Sequence, residues 1–344
     1  MKKFILFFLL FLLTILLLFE IFDGTLSDNF AKPSKNIITQ TSISSDVSPK
    51  SSSVNKKNQS SQSSLDTKEI PTKAININNN VYVSIFPEIL NNGEFFKITL
   101  SSNVNPLSSI KFLQKTYPIF KGANGVFSSI IPVPLDTKEG LYKITVDYLE
   151  KQNIIYENIN EIKILNKDRG FDYITLSQEI TKSAFSEESI HEDAEIRAET
   201  SALFSVGNYW NGAFLMPCDG EISTIFGVGR SYNNQPVSSY HLGLDIAADM
   251  HTKINAPAKG IIKLVVESPL RGLMVYIDHG LGVQSSLAHL DSAFIKAGDV
   301  VTKETLIGTV GSSGASTGPH LHWEVSVWDT LTDPFVWTTT SLFD

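Results

Sequence analysis

"HLHWEV", His320 to Val325, sets two of the chain's seven histidines one residue apart and follows them with a tryptophan and a glutamate. Read as a β-strand, the segment points His320, His322 and Glu324 to the same side, because side chains alternate with a period of two. Two imidazoles then face one site. Upstream, "YHLGLDIAA" places His241 and Asp245 four residues apart around Gly243. In a strand these two also share a face. A helix would align positions i and i+4 as well, but the glycine and the β-rich setting disfavour it. Two histidine nitrogens and one aspartate oxygen match a catalytic zinc site, in which three protein ligands leave a fourth position for water. Cys218 is the single cysteine, so a closed site of the Cys type has no ligands here.

The segments around these residues read as strands. "APAKGIIKLVVE", "GLMVYIDHG" and "TLIGTVG" each pair a β-rich run with a glycine turn, so residues 211–344 are expected to form an all-β unit. A second β-rich region lies at 81–166. There "GLYKITVDYL" alternates with Tyr142, Ile144, Val146 and Tyr148 on one face, and "VYVSIF", "EFFKITL" and "GVFSSIIPVPL" look similar. Their spacing predicts a small sandwich, and no cluster of ligand or acid–base residues lies within it, which favours a spacer or binding role. The expected fold class is mainly β, an N-terminal β-sandwich-like domain followed by an antiparallel β-sheet domain. Residues 167–210 read as a connector. Ser189 and Glu192 fit a capping box there, predicting one helix up to Ala202 with His191 solvated on it.

The chain begins with Lys2 and Lys3 and an apolar run from Phe4 to Phe19 broken only by Thr14. That order is an export signal, and without an A-x-A-like cleavage site residues 1–23 read as a membrane anchor with the rest of the chain outside. If the segment is cleaved, the protein is secreted. Residues 24–80, rich in serine, asparagine and lysine, cannot bury enough surface to offset their ordering entropy. They read as a tether with a root-mean-square span of about 40 Å. The net charge of -8 argues against nucleic acid as a partner. The lone Cys218 reads as a small, half-buried apolar residue.

Taken together, "HLGLD", "LAHLDS" and "GSSGASTGPHLHWEV", with "FGVGR", "INAPAKG", "VYIDHG" and "IKAGDVVTKETLIGTVG" between or beside them, resemble the lysostaphin and LytM type of zinc endopeptidase of bacterial cell walls. The resemblance runs from about Phe214 to Trp337. It implies one zinc ion per chain, bound by His241, Asp245 and His322. His289 and His320 then correspond to the family's two non-ligand histidines, which assist the water and the developing oxyanion. The implied activity is cleavage of peptide bonds in peptidoglycan stems or cross-links. The alternative is a catalytically silent module that binds peptidoglycan or activates a separate hydrolase; such members typically lose ligands, and all five residues are present here. The chain has no His-Glu-x-x-His, so a histidine must take the place of the glutamate base of that other class.

Several residues depart from the family or compete for a role. Leu287 stands where the family usually has a tyrosine, which predicts weaker substrate positioning. His251 replaces a glycine and reads as a turn residue, and His279 reads as structural. Glu324 is a candidate partner orienting a ligand, with an ordinary salt bridge as the alternative. Gly311, Gly314 and Gly318 read as turn glycines shaping a groove rim. The connector before the catalytic unit, including "GNYWNGAF" with Asn208 and Asn211, lies close enough in sequence to fold over the groove and cover the zinc as a latency segment. Oligomeric state has no signal in the sequence.

Overall fold

A computed structural model of the 344-residue chain describes residues 75–78, 81–102, 107–122, 125–150 and 153–343. The anchor expected at 1–23 and the tether up to residue 74 lie outside these residues. Among the described residues no helix is long and apolar enough to cross a membrane. Residues 68–344 cluster as one unit.

The first β-rich region folds into two five-stranded sheets. One runs in the order β1 (Ile75–Asn78), β2 (Val81–Phe86), β4 (Phe95–Ser102), β8 (Phe127–Pro132), β7 (Phe120–Lys121). The other runs β3 (Ile89–Asn91), β10 (Asn153–Leu165), β9 (Gly140–Glu150), β5 (Leu107–Phe112), β6 (Lys115–Pro118). All pairings are antiparallel except β3 with β10. Alternation places Phe96, Ile98 and Leu100 of β4 and Ile144 and Val146 of β9 in one shared core, where Phe96 meets Phe112 edge to face at 5.2 Å. This is the expected sandwich. Strand β1 takes up residues that composition alone assigns to the tether.

A short sheet follows. β11 (Phe171–Ile174) lies parallel to β13 (Gly229–Tyr232), which pairs with β14 (Ser239–Tyr240). Helices α1 (Gln178–Ala184) and α2 (Glu187–Ser201) come between β11 and β13 in the chain. The N-cap of α2 is Ser186, whose Oγ accepts from the Ser189 N–H, so the capping serine lies three residues before the one the pattern picked out.

The large sheet has the order β12 (Glu221–Thr224), β15 (Leu244–Ala247), β22 (His320–Val327), β19 (Val283–Ala293), β18 (Gly272–Gly280), β17 (Gly260–Ser268), β20 (Val300–Val301). Beside it, β16 (Lys253–Asn255) pairs with β21 (Leu306–Val310), β21 with β19, and β23 (Thr330–Thr332) with β22. One face of this antiparallel sheet carries Leu244, Ile246, Val275, Leu287, Trp323 and Val325 into the core. The same core holds Phe95 and Ile130 of the sandwich. Asp333 caps the short helix α3 (Pro334–Thr339), and Trp337 on it stacks against Phe95 at 4.0 Å. The sandwich and the large sheet are therefore packed together. The opposite face carries Met274, Tyr276 and Ala288, which Ile196 of α2 covers.

The "GNYWNGAF" stretch packs on the core side. Trp210 is buried against Phe214, Trp337 and His279, and the Tyr209 N–H donates to the His279 carbonyl at 3.2 Å. Its aromatics bind it there, so this part of the connector does not lie over the histidines, whereas Tyr173, Leu176 and Phe185 of the connector line the groove that holds them. His279 is structural, as expected. Its Nδ1–H donates to the Lys259 carbonyl and its Nε2 accepts from the Ser285 hydroxyl, both at 2.9 Å.

Burial pushes the His279 imidazole down to about 4. The unfolded chain therefore binds this proton more readily than the native one, so the stability contributed is complete above about pH 6.5 and is lost as the pH falls towards 4. Urea unfolding at pH 7 and pH 4.5 should show His279→Gln losing roughly 2–3 kcal/mol less between the two than the parent chain. Equal losses would exclude this histidine as a source of acid sensitivity.

Candidate metal centre

The register of three neighbouring strands builds the floor of the site. Asp245 on β15 and Ala288 on β19 lie directly opposite His322 on β22, forming one row across the sheet. The next row, Leu244–Trp323–Leu287, belongs to the core face. Leu287 is fully buried there. Its side chain serves the core beneath the strand, away from the histidines.

His241 does not continue the strand of Asp245. It follows β14 and is fixed by its own backbone, its N–H donating to the Val228 carbonyl (2.8 Å) and its carbonyl accepting from the Gly227 N–H (2.7 Å). A bend through Gly243 then leads to β15. A Cβ on Gly243 would stand 2.6 Å from His322 Cε1 and 2.7 Å from the Trp323 carbonyl oxygen, so this position admits only glycine. His289 reaches the site by a different device. Strict alternation along β19 would put it on the side of Leu287, but its φ of +63° turns the side chain over to the histidine face. Its ring lies 4.7 Å from that of His320 and 6.0 Å from that of His322. The backbone is held in this state by the His289 N–H donating to the Arg271 carbonyl at 3.0 Å.

Three donor atoms converge. His241 Nε2 lies 2.9 Å from Asp245 Oδ1, His322 Nδ1 lies 2.6 Å from the same oxygen, and the two nitrogens are 3.1 Å apart. All three residues are buried. The other nitrogen of each imidazole is committed outwards: His241 Nδ1–H donates to the Ile225 carbonyl (2.9 Å) and His322 Nε2–H to Glu324 Oε1 (3.0 Å). Neither outer partner offers a proton, so the neutral rings turn their lone pairs inwards on a carboxylate oxygen. Asp245 Oδ2 is occupied by the Arg230 guanidinium at 3.1 Å, leaving Oδ1 for the centre. Three acceptors this close repel unless a cation or a proton stands among them.

The remaining two histidines follow the same pattern. His289 Nδ1–H donates to the Ser313 carbonyl (2.7 Å) and His320 Nδ1–H to the Gly318 carbonyl (2.9 Å). His320 Nε2 lies 3.9 Å from Asp245 Oδ1. Burial, reinforced by the neighbouring His322 and His320, pushes His289 down to about 3, so it is neutral at ordinary pH. Burial opposes ionisation of Asp245, but His322 and His241 outweigh it and hold the carboxyl well below its usual range. For His322 burial disfavours the charged ring, but Asp245 and Glu324 outweigh it and raise its pKa.

These groups line a groove of about 660 Å³ walled by Tyr173, Phe185, Tyr240, Leu270 and Pro319. His251 and His191 lie elsewhere. His251 has a φ of +69° and reaches Asp291 at 3.1 Å, the turn role expected of it, while His191 pairs with Glu195 on the exposed side of α2. Of the three rim glycines only Gly314 is left-handed; Gly311 is required because a Cβ would meet the Asp291 nitrogen at 2.4 Å, and nothing crowds Gly318. Sequence reading missed Arg230 and Arg271, since neither stands near a ligand in the chain. Cys218 is buried and its thiol is pushed up to about 12 by burial, fitting an inert role.

Residues 239–334 match peptidase family M23. A DD-carboxypeptidase/endopeptidase, Mpg, of Neisseria meningitidis is 44% identical over 87 residues, which are 25% of this chain and 20% of that protein. The peptidoglycan DD-endopeptidase ShyC of Vibrio cholerae is 33% identical over 132 residues, 36% of this chain and 30% of that one. The chain thus spans under a third of the length of these relatives. A crystal structure assigned to peptidase M23 from Pseudomonas aeruginosa is 24% identical and superposes with a TM-score of 0.51 over 75% of this chain and 92% of that one, a likeness of fold. The converging histidines and Asp245 all fall inside residues 239–334, the part of the chain that matches peptidase family M23.

Proposed function

We propose that the protein is a zinc-dependent endopeptidase that cuts peptide bonds in the stems or cross-links of peptidoglycan, outside the cytoplasm. One observation carries the reading: four imidazoles, each with its outer N–H tied down, gather with Asp245 in one groove of an M23 domain. His241 Nε2, Asp245 Oδ1 and His322 Nδ1 would hold a single zinc ion, because two imidazole nitrogens and one carboxylate oxygen converge on one point. The names of the Neisseria and Vibrio relatives support peptidoglycan as substrate. On this reading residues 1–23 hold the chain to a membrane, 24–80 span outwards, the sandwich at 81–166 acts as a spacer, 167–210 connect, and 211–344 cut.

When bound, zinc supplies an acidified water and polarises the scissile carbonyl. The residues divide the remaining work. His289 is kept neutral by burial, so its Nε2 accepts a hydrogen bond and orients the attacking water without being protonated itself. His320 lies nearer the open groove, its side chain 17% exposed. It takes the proton released as the C–O bond forms and gives it to the leaving amine as the C–N bond breaks. Arg230 holds Asp245 by its second oxygen.

The test is mass spectrometry of fragments released from purified peptidoglycan by the full chain, with and without a chelator. Peptide-cleaved fragments that disappear with chelation support the proposal, and their masses name the bond. Stoichiometric zinc binding with no release would shift the function to the silent wall-binding module. Gly243 gives a finer check. A methyl group there collides with His322, so Gly243→Ala should weaken zinc binding at least about tenfold in a competition titration. Unchanged affinity would mean that His322 is not held against this backbone.

A further inference from the structure

Helix α2 buries a face that is almost entirely polar: Ser189, Asp193, Ile196 and Thr200. A helix docked only to cover a sheet would place leucine or valine at such positions. Here Ile196 alone does so, and the rest of the contact is polar: Gln284 Nε2–H donates to the Thr200 carbonyl at 2.8 Å, and the remainder is ionic. Asp193 receives both arginines, Arg197 Nε–H at 3.1 Å and Arg271 Nε–H at 2.9 Å. The same two arginines converge on Glu324 Oε1, Arg197 at 3.0 Å and Arg271 at 2.7 Å. That oxygen also accepts the His322 Nε2–H. The result is a closed ring of two acids and two arginines, almost wholly out of solvent at Glu324, where the side chain is 1% exposed.

Such a ring is weak evidence for stability, because desolvating four charges offsets most of their attraction. Its geometric effect is specific. Glu324 can reach His322 only as a buried carboxylate, and a buried carboxylate needs both cations to stay ionised and aimed. With its Nε2 proton on Glu324, His322 has a single orientation and a single tautomer, the one whose Nδ1 lone pair faces His241 and Asp245. Arg271 adds a second link, since its carbonyl holds the His289 backbone in its left-handed turn.

We propose that the connector helix α2 is a working part of the metal centre, with Arg197 as a positioning residue that fixes His322 through Glu324. This inference rests on the zinc-site reading above.

The test is a zinc competition titration on the full chain, with unfolding of the metal-free protein measured alongside. Arg197→Met should weaken zinc binding about tenfold to a hundredfold, and Arg197→Lys, which keeps the charge, should recover part of it. Ile196→Ala removes the apolar contact of the same helix. It should lower the unfolding midpoint and leave zinc affinity within about twofold. A purely structural helix would give the reverse pattern, with Arg197→Met and Ile196→Ala changing affinity only in step with stability. If Arg197→Met binds zinc within about twofold of the parent while Asp245→Ala loses it, the positioning role is overturned and the zinc site stands. If Asp245→Ala binds zinc as well as the parent, the site itself is misplaced and this inference fails with it.

Discussion

Asp245→Ala and His322→Ala are each expected to abolish release of peptide-cleaved fragments and to weaken zinc binding by roughly 10²- to 10³-fold, the share of one ligand in a site worth about 10–16 kcal/mol. The two substitutions should differ in their effect on the metal-free chain. Asp245 also pairs with Arg230, so its removal leaves a half-buried guanidinium without its carboxylate, whereas removing His322 leaves Glu324 still held by two arginines. Asp245→Asn separates these effects, because the amide oxygen can still accept from Arg230. Zinc added above its dissociation constant should raise the melting temperature of the parent, by linkage to the native state, and leave those of the alanine variants unmoved. A zinc-dependent rise in the Asp245→Ala chain equal to that of the parent would place the metal elsewhere.

Much of this site was legible from two short motifs because a strand has a fixed period. His320, His322 and Glu324 had to share a side, and they do. The HLGLD segment was harder: His241 and Asp245 converge, but by a bend at Gly243 from two different strand systems and not along one strand. Spacing alone could not separate these routes. His289 was recognisable only by resemblance, since its left-handed backbone breaks the alternation that would otherwise send it into the core with Leu287. The sandwich followed from alternation at Ile144 and Val146, and its junction with the large sheet did not, because Phe95 and Trp337 meet across 242 residues, 337 − 95. The connector was the largest surprise. Its acidic helix looks solvated in sequence, and only the fold brings Arg197 to Glu324, 127 positions away. The aromatic stretch around Trp210 packs on the core side instead: nearness in sequence to the histidines said nothing about which face of the sheet it would join.

Replacing His289 should reduce kcat by about 10²- to 10⁴-fold while leaving zinc affinity within a fewfold, since its ring contributes no atom to the converging donors. Asparagine is the better substitute here. It tolerates a φ of +63° more readily than alanine, so His289→Asn keeps the chain folded and separates loss of the imidazole from backbone strain. The pH profile then decides what the residue does. With its ordinary value lowered to about 3, His289 is unprotonated throughout the range from pH 5 to 8, and a loss of activity on the acid side of that range must come from another group. The acid limb of kcat should therefore keep its midpoint in the His289→Asn enzyme although the plateau falls. His320→Ala should also remove most of the activity. If the limb disappears with His289→Asn, His289 is the group that carries the proton from water to the leaving amine.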